Sequence, residues 1–191
     1  MLSIFFISII FSYLISSPFN DWINDNEEII NQKNKSVSFQ IVIDSNMDVE
    51  KNKILNGNIV VGEKKQFRFN IGPRTVVSDG KIWKSYDSRT DQIFIQKPDK
   101  KMEQALFSWT NIKKLRRIPI EMKSDGSYRL KFFGIKNDVR AFFSSNSNLL
   151  DSILISSKNG FHSKIFDIRM SITDTLVLNV GSENSDLFDL R

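Results

Sequence analysis

Few side chains in this sequence could make or break a covalent bond. His162 is the only histidine among 191 residues, and so the only side chain whose ordinary pKa lies near neutrality. A general base needs a partner to orient it, and no serine or carboxylate pairing is legible around His162. It reads as an exposed or edge position in a strand-like segment that follows a glycine turn. Cysteine is absent, which excludes a thiolate nucleophile, a Cys-zinc site, a disulfide framework and a lipid-anchored cysteine. The eight glycines are dispersed among turns and form no phosphate-cradling loop. Asp and Asn residues near turns lack the ligand spacing of a calcium loop and are explained by hairpins and caps. No catalytic residue, no metal site and no cofactor is expected.

What the chain does offer is apolar surface at regular spacing. It carries 16 phenylalanines, most of them in strand-like runs. Phe67, Phe69 and Ile71 alternate with Arg68 and Asn70, and Ile59 and Val61 alternate with polar neighbours. Period-two alternation describes a sheet with one apolar and one wet face. An apolar sheet face either packs as core or receives a ligand, and that choice decides what the protein does. The formal net charge of +5 is spread among acids instead of forming a block, so no nucleic-acid partner is expected.

The elements that must position these side chains are mostly strands. A helical pattern over 19–32 carries Phe19, Trp22, Ile23, Ile29 and Ile30, with Asn20 or Asp21 able to cap it. Val37, Phe39, Ile41 and Ile43 then alternate along a strand. Residues 57–96 read as about five strands with a tight Ser78-Asp79-Gly80 turn. Pro98 breaks the pattern, after which Met102, Ala105, Leu106, Trp109 and Ile112 form one helical stripe, with Lys113, Lys114, Arg116 and Arg117 around its end. Strands resume at 119–123, 127–133, 139–143, 149–155, 162–170 and 175–180, with Asp125-Gly126 and Asn159-Gly160 as hairpin turns. The expected fold class is mainly β: roughly ten or eleven antiparallel strands in one curved sheet, an unclosed half-open barrel covered by two α-helices.

The first 17 residues are uncharged and strongly apolar, and end in small residues before Pro18. The stretch is shorter than the ~20 residues of a spanning helix, and acidic residues follow at once. It reads as a signal peptide cleaved near Ser16 or Ser17, in preference to a buried N-terminal helix or an uncleaved anchor, although no Lys or Arg precedes the apolar run. Residues 18–191 then form a single exported domain.

The run Gly57…Phe67-Arg68-Phe69…Val77-Ser78-Asp79-Gly80-Lys81…Tyr86-Asp87 resembles the LolA family, periplasmic carriers of outer-membrane lipoproteins. That family follows a glycine-led strand with an aromatic-x-aromatic strand, a Ser-Asp-Gly-Lys turn and a Trp/Tyr strand ending in Tyr-Asp or Tyr-Asn. Leu176-Val177-Leu178-Asn179-Val180 with the later Asp189 is similar to the family's last strand and tail. The resemblance implies a helical lid over a hydrophobic cavity. It also implies a monomeric periplasmic carrier whose partners are acylated lipoproteins, an inner-membrane lipoprotein-releasing transporter and an outer-membrane acceptor. Two departures stand out. An arginine that fastens the lid in some carriers of this type falls here at Glu63, and Trp83 precedes Tyr86 by three positions instead of two, which in a regular strand sends the indole to the opposite face.

Phe67 and Phe69 are the foremost lipid-binding candidates. Both match the aromatic-x-aromatic strand, and Phe67 falls where the family places a residue facing the lipid route. Phe39, Ile41, Ile59, Val61, Leu106 and Trp109 follow from alternation or the helical stripe. The alternatives are a periplasmic lipid-sensing regulator of the same half-barrel fold and a lipid-active enzyme, the latter disfavoured by the missing catalytic set. The need for such a carrier is physical. Each methylene moved from water to an apolar site gains ~0.8 kcal/mol, so an exposed acyl chain costs on the order of 10 kcal/mol.

Overall fold

The computed structural model of the protein describes residues 17–44, 53–100, 103, 107, 109–132, 137–144, 149–157 and 162–191. The proposed signal sequence therefore lies outside the described residues up to position 16, as do Leu106, the Asn159-Gly160 turn and most of the loop after the first strand.

The first helical pattern becomes two short helices, α1 (Pro18–Asp25) and α2 (Glu27–Asn31), broken at Asn26. Ser17, not Asn20 or Asp21, is the cap. Its side chain accepts a hydrogen bond from the Asn20 amide, and Pro18 occupies the first helical position, where no amide hydrogen is missed. Six strands follow: β1 (Lys35–Asp44), β2 (Ile54–Val61), β3 (Gln66–Ile71), β4 (Arg74–Asp79), β5 (Trp83–Asp87) and β6 (Gln92–Gln96). Lys100, Glu103 and Phe107 are helical, and after a turn at Trp109 the single-turn α3 (Ile112–Leu115) starts under an Asn111 cap. The second half comprises β7 (Ile120–Met122), β8 (Tyr128–Leu130), β9 (Asp138–Phe143), β10 (Leu150–Ser156), β11 (His162–Ile172) and β12 (Asp186–Asp189).

Among the described residues all twelve strands form one sheet, ordered β12-β6-β5-β4-β3-β2-β1-β11-β10-β9-β8-β7. Two meanders meet at β1, which pairs with β2 on one side and β11 on the other. β12 and β7 remain as edges, so the sheet is not closed. The turns carry the residues expected of them. Gly80 and Gly126 have φ of 93° and 78°, a region that costs glycine little, and Asp79 Oδ1 accepts from the amides of Lys81 and Ile82 at 2.8 and 3.0 Å.

Two expectations need correction. Residues 175–180 form no ladder. That stretch lies on the outer face, and Arg68 Nη1 donates to the Val177 and Asn179 carbonyls at 3.3 and 2.9 Å, so a side chain satisfies backbone that a neighbouring strand would otherwise pair. The last strand is β12 instead. It runs parallel to β6, so the sheet is antiparallel everywhere except at that edge.

Candidate functional site

Register fixes which side chains share the inner face, the one that α1 and α2 cover. Three cross-strand rows run over the first half of the sheet. Lys35, Val61, Phe67, Ser78 and Trp83 form one; Val37, Ile59, Phe69 and Val76 the next; Phe39, Gly57 and Ile71 the third. The alternation read from the sequence is thus a true face. β5 is regular, so Trp83 points inward and is 3% exposed, while Tyr86 lies on the outer face with its hydroxyl donating to Asp91 at 3.1 Å.

The rows have different fates. In the first, Phe67 is 1% exposed and packs edge-on against Trp83 and Phe107, with ring centroids 5.4 and 6.1 Å apart. Val61 and Ile59 join this cluster, with Phe69 and Val37 against it. A second filled cluster holds Phe19, Ile23 and Ile30 of the helices against Leu115, Leu130, Val139 and Ala141. Alongside these clusters lies a cavity of about 370 Å³.

Val37 and Phe39 of β1 and Ile59 of β2 form one side of this cavity. The other side comes from the second half of the chain: Val139 of β9, Leu150, Ile153 and Ile155 of β10, and Ile165, Ile168 and Met170 of β11. Trp22 of α1, Trp109 and Phe132 also line it, and among the described residues Asn137 is the single polar member. Two β-bulges create the second side. In β11 the register slips where Ser38 and Gln40 of β1 face Arg169 and Phe166, and Asp167 takes a φ of 50°. Without that extra residue Ile165 would point one way and Ile168 and Met170 the other; with it all three face the cavity. In β10 the slip between Leu150 and Ser152 does the same for Leu150, Ile153 and Ile155.

Of the residues expected to bind lipid, Phe39, Ile59 and Trp109 line the cavity. Ile41 is buried on the same face further along β1, beyond the lining. Val61 and Phe67 sit in the filled cluster, and Phe69 stacks on Phe39 at 6.4 Å with the rings inclined at 22°. Leu106 lies outside the described residues. Sequence reasoning missed the β10 and β11 residues and Trp22. Their signal was present as alternation that changes phase at Asp151 and at Phe166-Asp167.

Gly57 has a specific part in this site. It stands opposite Phe39 on the inner face, and a Cβ there would meet the Phe39 ring at 2.2 Å. The missing side chain is what lets the ring lie over β2.

Lys35 answers the question left by Glu63. It is 6% exposed, and its amine donates to the carbonyls of Ile30, Gln32 (3.0 Å) and Thr110 (3.4 Å). It thereby ties the end of α2 to the segment that carries Trp109. Burial lowers its pKa from the ordinary lysine value. Glu63 lies on the surface beside Lys33 at 3.5 Å.

His162 is exposed, with Nδ1 3.0 Å from Ser156 Oγ, a pairing across the β10–β11 hairpin that the sequence did not reveal. The pair lies on the face opposite the cavity, because its neighbours in register, Ser163 and Ile155, share the cavity side. Asp138, next in line beyond Ser156, is held by Arg129 at 2.6 Å and Arg140 at 2.8 Å. Among the described residues no group of three or more His, Asp or Glu side chains could hold a metal ion.

No protein-family model and no curated protein matches the chain. Among solved structures it is similar to an uncharacterized conserved protein from Thermus thermophilus, with a TM-score of 0.51 and 11% identity over 87% of this chain and 96% of that one. It is also similar to the LolA superfamily protein NE2245 from Nitrosomonas europaea, at a TM-score of 0.42 and 9% identity over 84% and 96% of the two chains. A third likeness is to MucB, at 0.34 and 14% over 91% and 66%. At these identities the likenesses are of fold. The half-open, helix-covered sheet implied by the LolA-like resemblance is the architecture described above.

Proposed function

We propose that the protein is a periplasmic carrier that shelters the acyl chains of lipoproteins in the inner-face cavity and moves them from the inner to the outer membrane. The observation that carries this reading is the cavity itself: about 370 Å³, lined among the described residues by Trp, Phe, Ile, Leu, Val and Met side chains and one Asn. Such a surface gives no charged group a partner and rewards every methylene removed from water. Aromatic side chains supply area, and their placement on separate segments supplies reversibility.

In this reading the apolar leader directs export and is removed. Among the described residues no helix is long and apolar enough to cross a membrane, which suits a carrier working between two bilayers. An inner-membrane releasing transporter loads it and an outer-membrane acceptor unloads it. It acts without catalysis, since the exposed Ser156–His162 pair lies away from the cavity.

The test is to incubate the purified protein with inner-membrane vesicles carrying a labelled lipoprotein and the releasing machinery. Formation of a soluble one-to-one complex is the expected result. If no lipoprotein leaves the vesicles and the protein instead binds a membrane regulator, the carrier reading fails and a sensing role replaces it.

A further inference from the structure

We infer that β12 is a self-association edge, at which a second copy of this chain adds its own β12 antiparallel and extends the sheet across a two-fold axis. The chain is a monomer when dilute and pairs when concentrated. Each copy keeps its own cavity, so the carrier reading stands whether or not the edge pairs.

Backbone direction is the first reason. The amides of Asp186 and Leu190 donate to the Asp91 and Ile95 carbonyls at 3.0 and 2.8 Å. Alternation turns the peptide groups of Phe188 the same way, and those of Leu187 and Asp189 outward. Among the described residues no strand pairs with that side. Sheet edges are ordinarily blunted by charge, proline or a covering segment. The opposite edge, β7, follows that rule, with Glu121 held by Lys123 and Lys131. β12 shows apolar side chains on both faces instead. Leu187 is 61% exposed on the outer face, and Phe188 and Leu190 are 41% and 63% exposed on the inner one. Phe188 stacks on Phe94 at 5.1 Å, which brings the inner-face row of Phe69, Val76 and Ser85 out to the edge.

Self-complementarity is the second reason, and it selects the occupant. A two-fold pairing centred on Asp186 or Asp189 sets like charges against each other. Centring on Leu187 brings Asp189 against Ser185, whose amide already donates to the Ser182 carbonyl. Centring on Phe188 opposes Leu187 to Asp189 twice, for about four backbone hydrogen bonds. It also sets Phe188 against its own copy as a close, non-hydrogen-bonded pair, the arrangement in which aromatic side chains interact best. Charge agrees with this register. Glu183, Asp186 and Asp91 stand at the start of the edge, Lys97 and Arg191 at its end. Arg89, near the start, is bonded to Asp87 at 2.8 Å. Antiparallel pairing therefore lays the basic end of one copy over the acidic start of the other. So short an edge buries well under the ~1,200 Å² of a stable interface, and a dissociation constant of about 0.1–1 mM is expected.

The test is sedimentation velocity of the full chain from about 10 µM to 1 mM, with variants chosen to spare the fold. The expected result is a mass that rises from that of the monomer toward twice that value. Leu187→Pro removes only an outward amide and leaves the bonds to β6, so pairing should weaken at least about tenfold with Tm unchanged. The chain has no cysteine, so Phe188→Cys places one thiol on the two-fold axis. Mild oxidation should link it to its copy about tenfold faster than Leu190→Cys or Met122→Cys, equally exposed positions that the register holds apart. A chain still monomeric at about 1 mM leaves the edge to a segment of another protein and overturns the proposal. So does a dimer that Leu187→Pro leaves unchanged, or equal oxidation of the three cysteine variants. Faster linking of Met122→Cys would move the contact to β7 and overturn it as well.

Discussion

The contact between Gly57 and Phe39 offers the most direct test of how the cavity is built. In Gly57→Ala the new methyl would stand 2.2 Å from Phe39 Cε2, 2.4 Å from Cζ and 2.9 Å from Cδ2. All three lie inside van der Waals contact, so the ring must move. Phe69 stacks beside it at 6.4 Å, and Phe39 itself borders the cavity, so the space open to the ring is the cavity. Overpacking of this kind costs ~1–3 kcal/mol, and losing the ring stack costs ~0.5–1.5 kcal/mol. Replacing glycine within a strand returns ~0.5–1 kcal/mol. The net is a loss of ~1–3 kcal/mol, which for a chain of this size lowers Tm by about 3–10 °C. Acyl-chain affinity should fall at the same time, because the displaced ring occupies the guest's volume. The assay is a double-mutant cycle with Phe39→Leu, read by thermal unfolding and by tryptophan quenching. In the Phe39→Leu background the alanine should cost nothing, giving a coupling of ~1 kcal/mol or more. If Gly57→Ala is as stable as the parent and binds the same chains, or if its cost persists without the Phe39 ring, the reasoning is refuted.

Phe67→Ala should destabilise by ~3–5 kcal/mol, the range for a buried aromatic, while the fraction that remains folded binds acyl chains as before; impaired binding at full stability would return Phe67 to the cavity wall. Lys35→Ala leaves the carbonyls of Ile30, Gln32 and Thr110 without their donor, so ~1–3 kcal/mol should be lost, with faster amide exchange confined to 27–35 and 107–115. Uniform exchange across the sheet would show that Lys35 fastens nothing in particular. The hydrogen bond from Arg140, with the charge of Arg129 nearby, holds the Asp138 carboxyl below the usual aspartate pKa. Its stabilisation is therefore complete above the unfolded value of about 4 and fades as pH falls through the lower folded value. Asp138→Asn should accordingly flatten the acid limb of a urea-midpoint profile below the unfolded aspartate value, and an unchanged limb would show that this network does not bear on stability.

Legibility in the sequence followed locality. The 57–96 block was readable because its strands are regular, its turns use Asp and Gly where φ demands them, and its faces alternate without interruption. The same regularity misplaced the weight of the site. Alternation marks Val61, Phe67 and Phe69 as sharing a face with Ile59, but only packing across the sheet decides which part of that face is filled. Phe67 is occupied by Trp83 and Phe107, residues 16 and 40 positions away, and no local pattern reports such a meeting. The β10 and β11 side escaped for the opposite reason. There each alternation breaks once, and a break reads as noise until the register shows it as a bulge that returns Ile153 and Ile168 to the cavity. The tail was misread as a strand because Leu176, Leu178 and Val180 alternate as well as any strand does. Their partner is the outer face of the sheet and the Arg68 guanidinium, not another ladder.

A receptor for a fatty chain must keep apolar surface uncovered, and such surface also invites aggregation and weakens the fold. This chain confines the vacancy to one strip between packed clusters, so in the proposed reading the sheet is held rigid by side chains that a guest would not meet. The cover is then fastened by Lys35 to neutral acceptors. Had the partner been a buried carboxylate, opening would strip an ion pair and leave a charge to be rehydrated or paired anew, a change worth several kcal/mol. Carbonyls at the end of α2 and at Thr110 exchange an ammonium for water at much smaller cost. The amine itself, flexible and strongly hydrated, can follow either segment outward. Thr110, one of those acceptors, follows Trp109 directly, whereas Trp22 stands between Phe19 and Ile23 of the packed helix-side cluster. Release of the amine therefore loosens the Trp109 segment, while Trp22 stays held by the cluster around it.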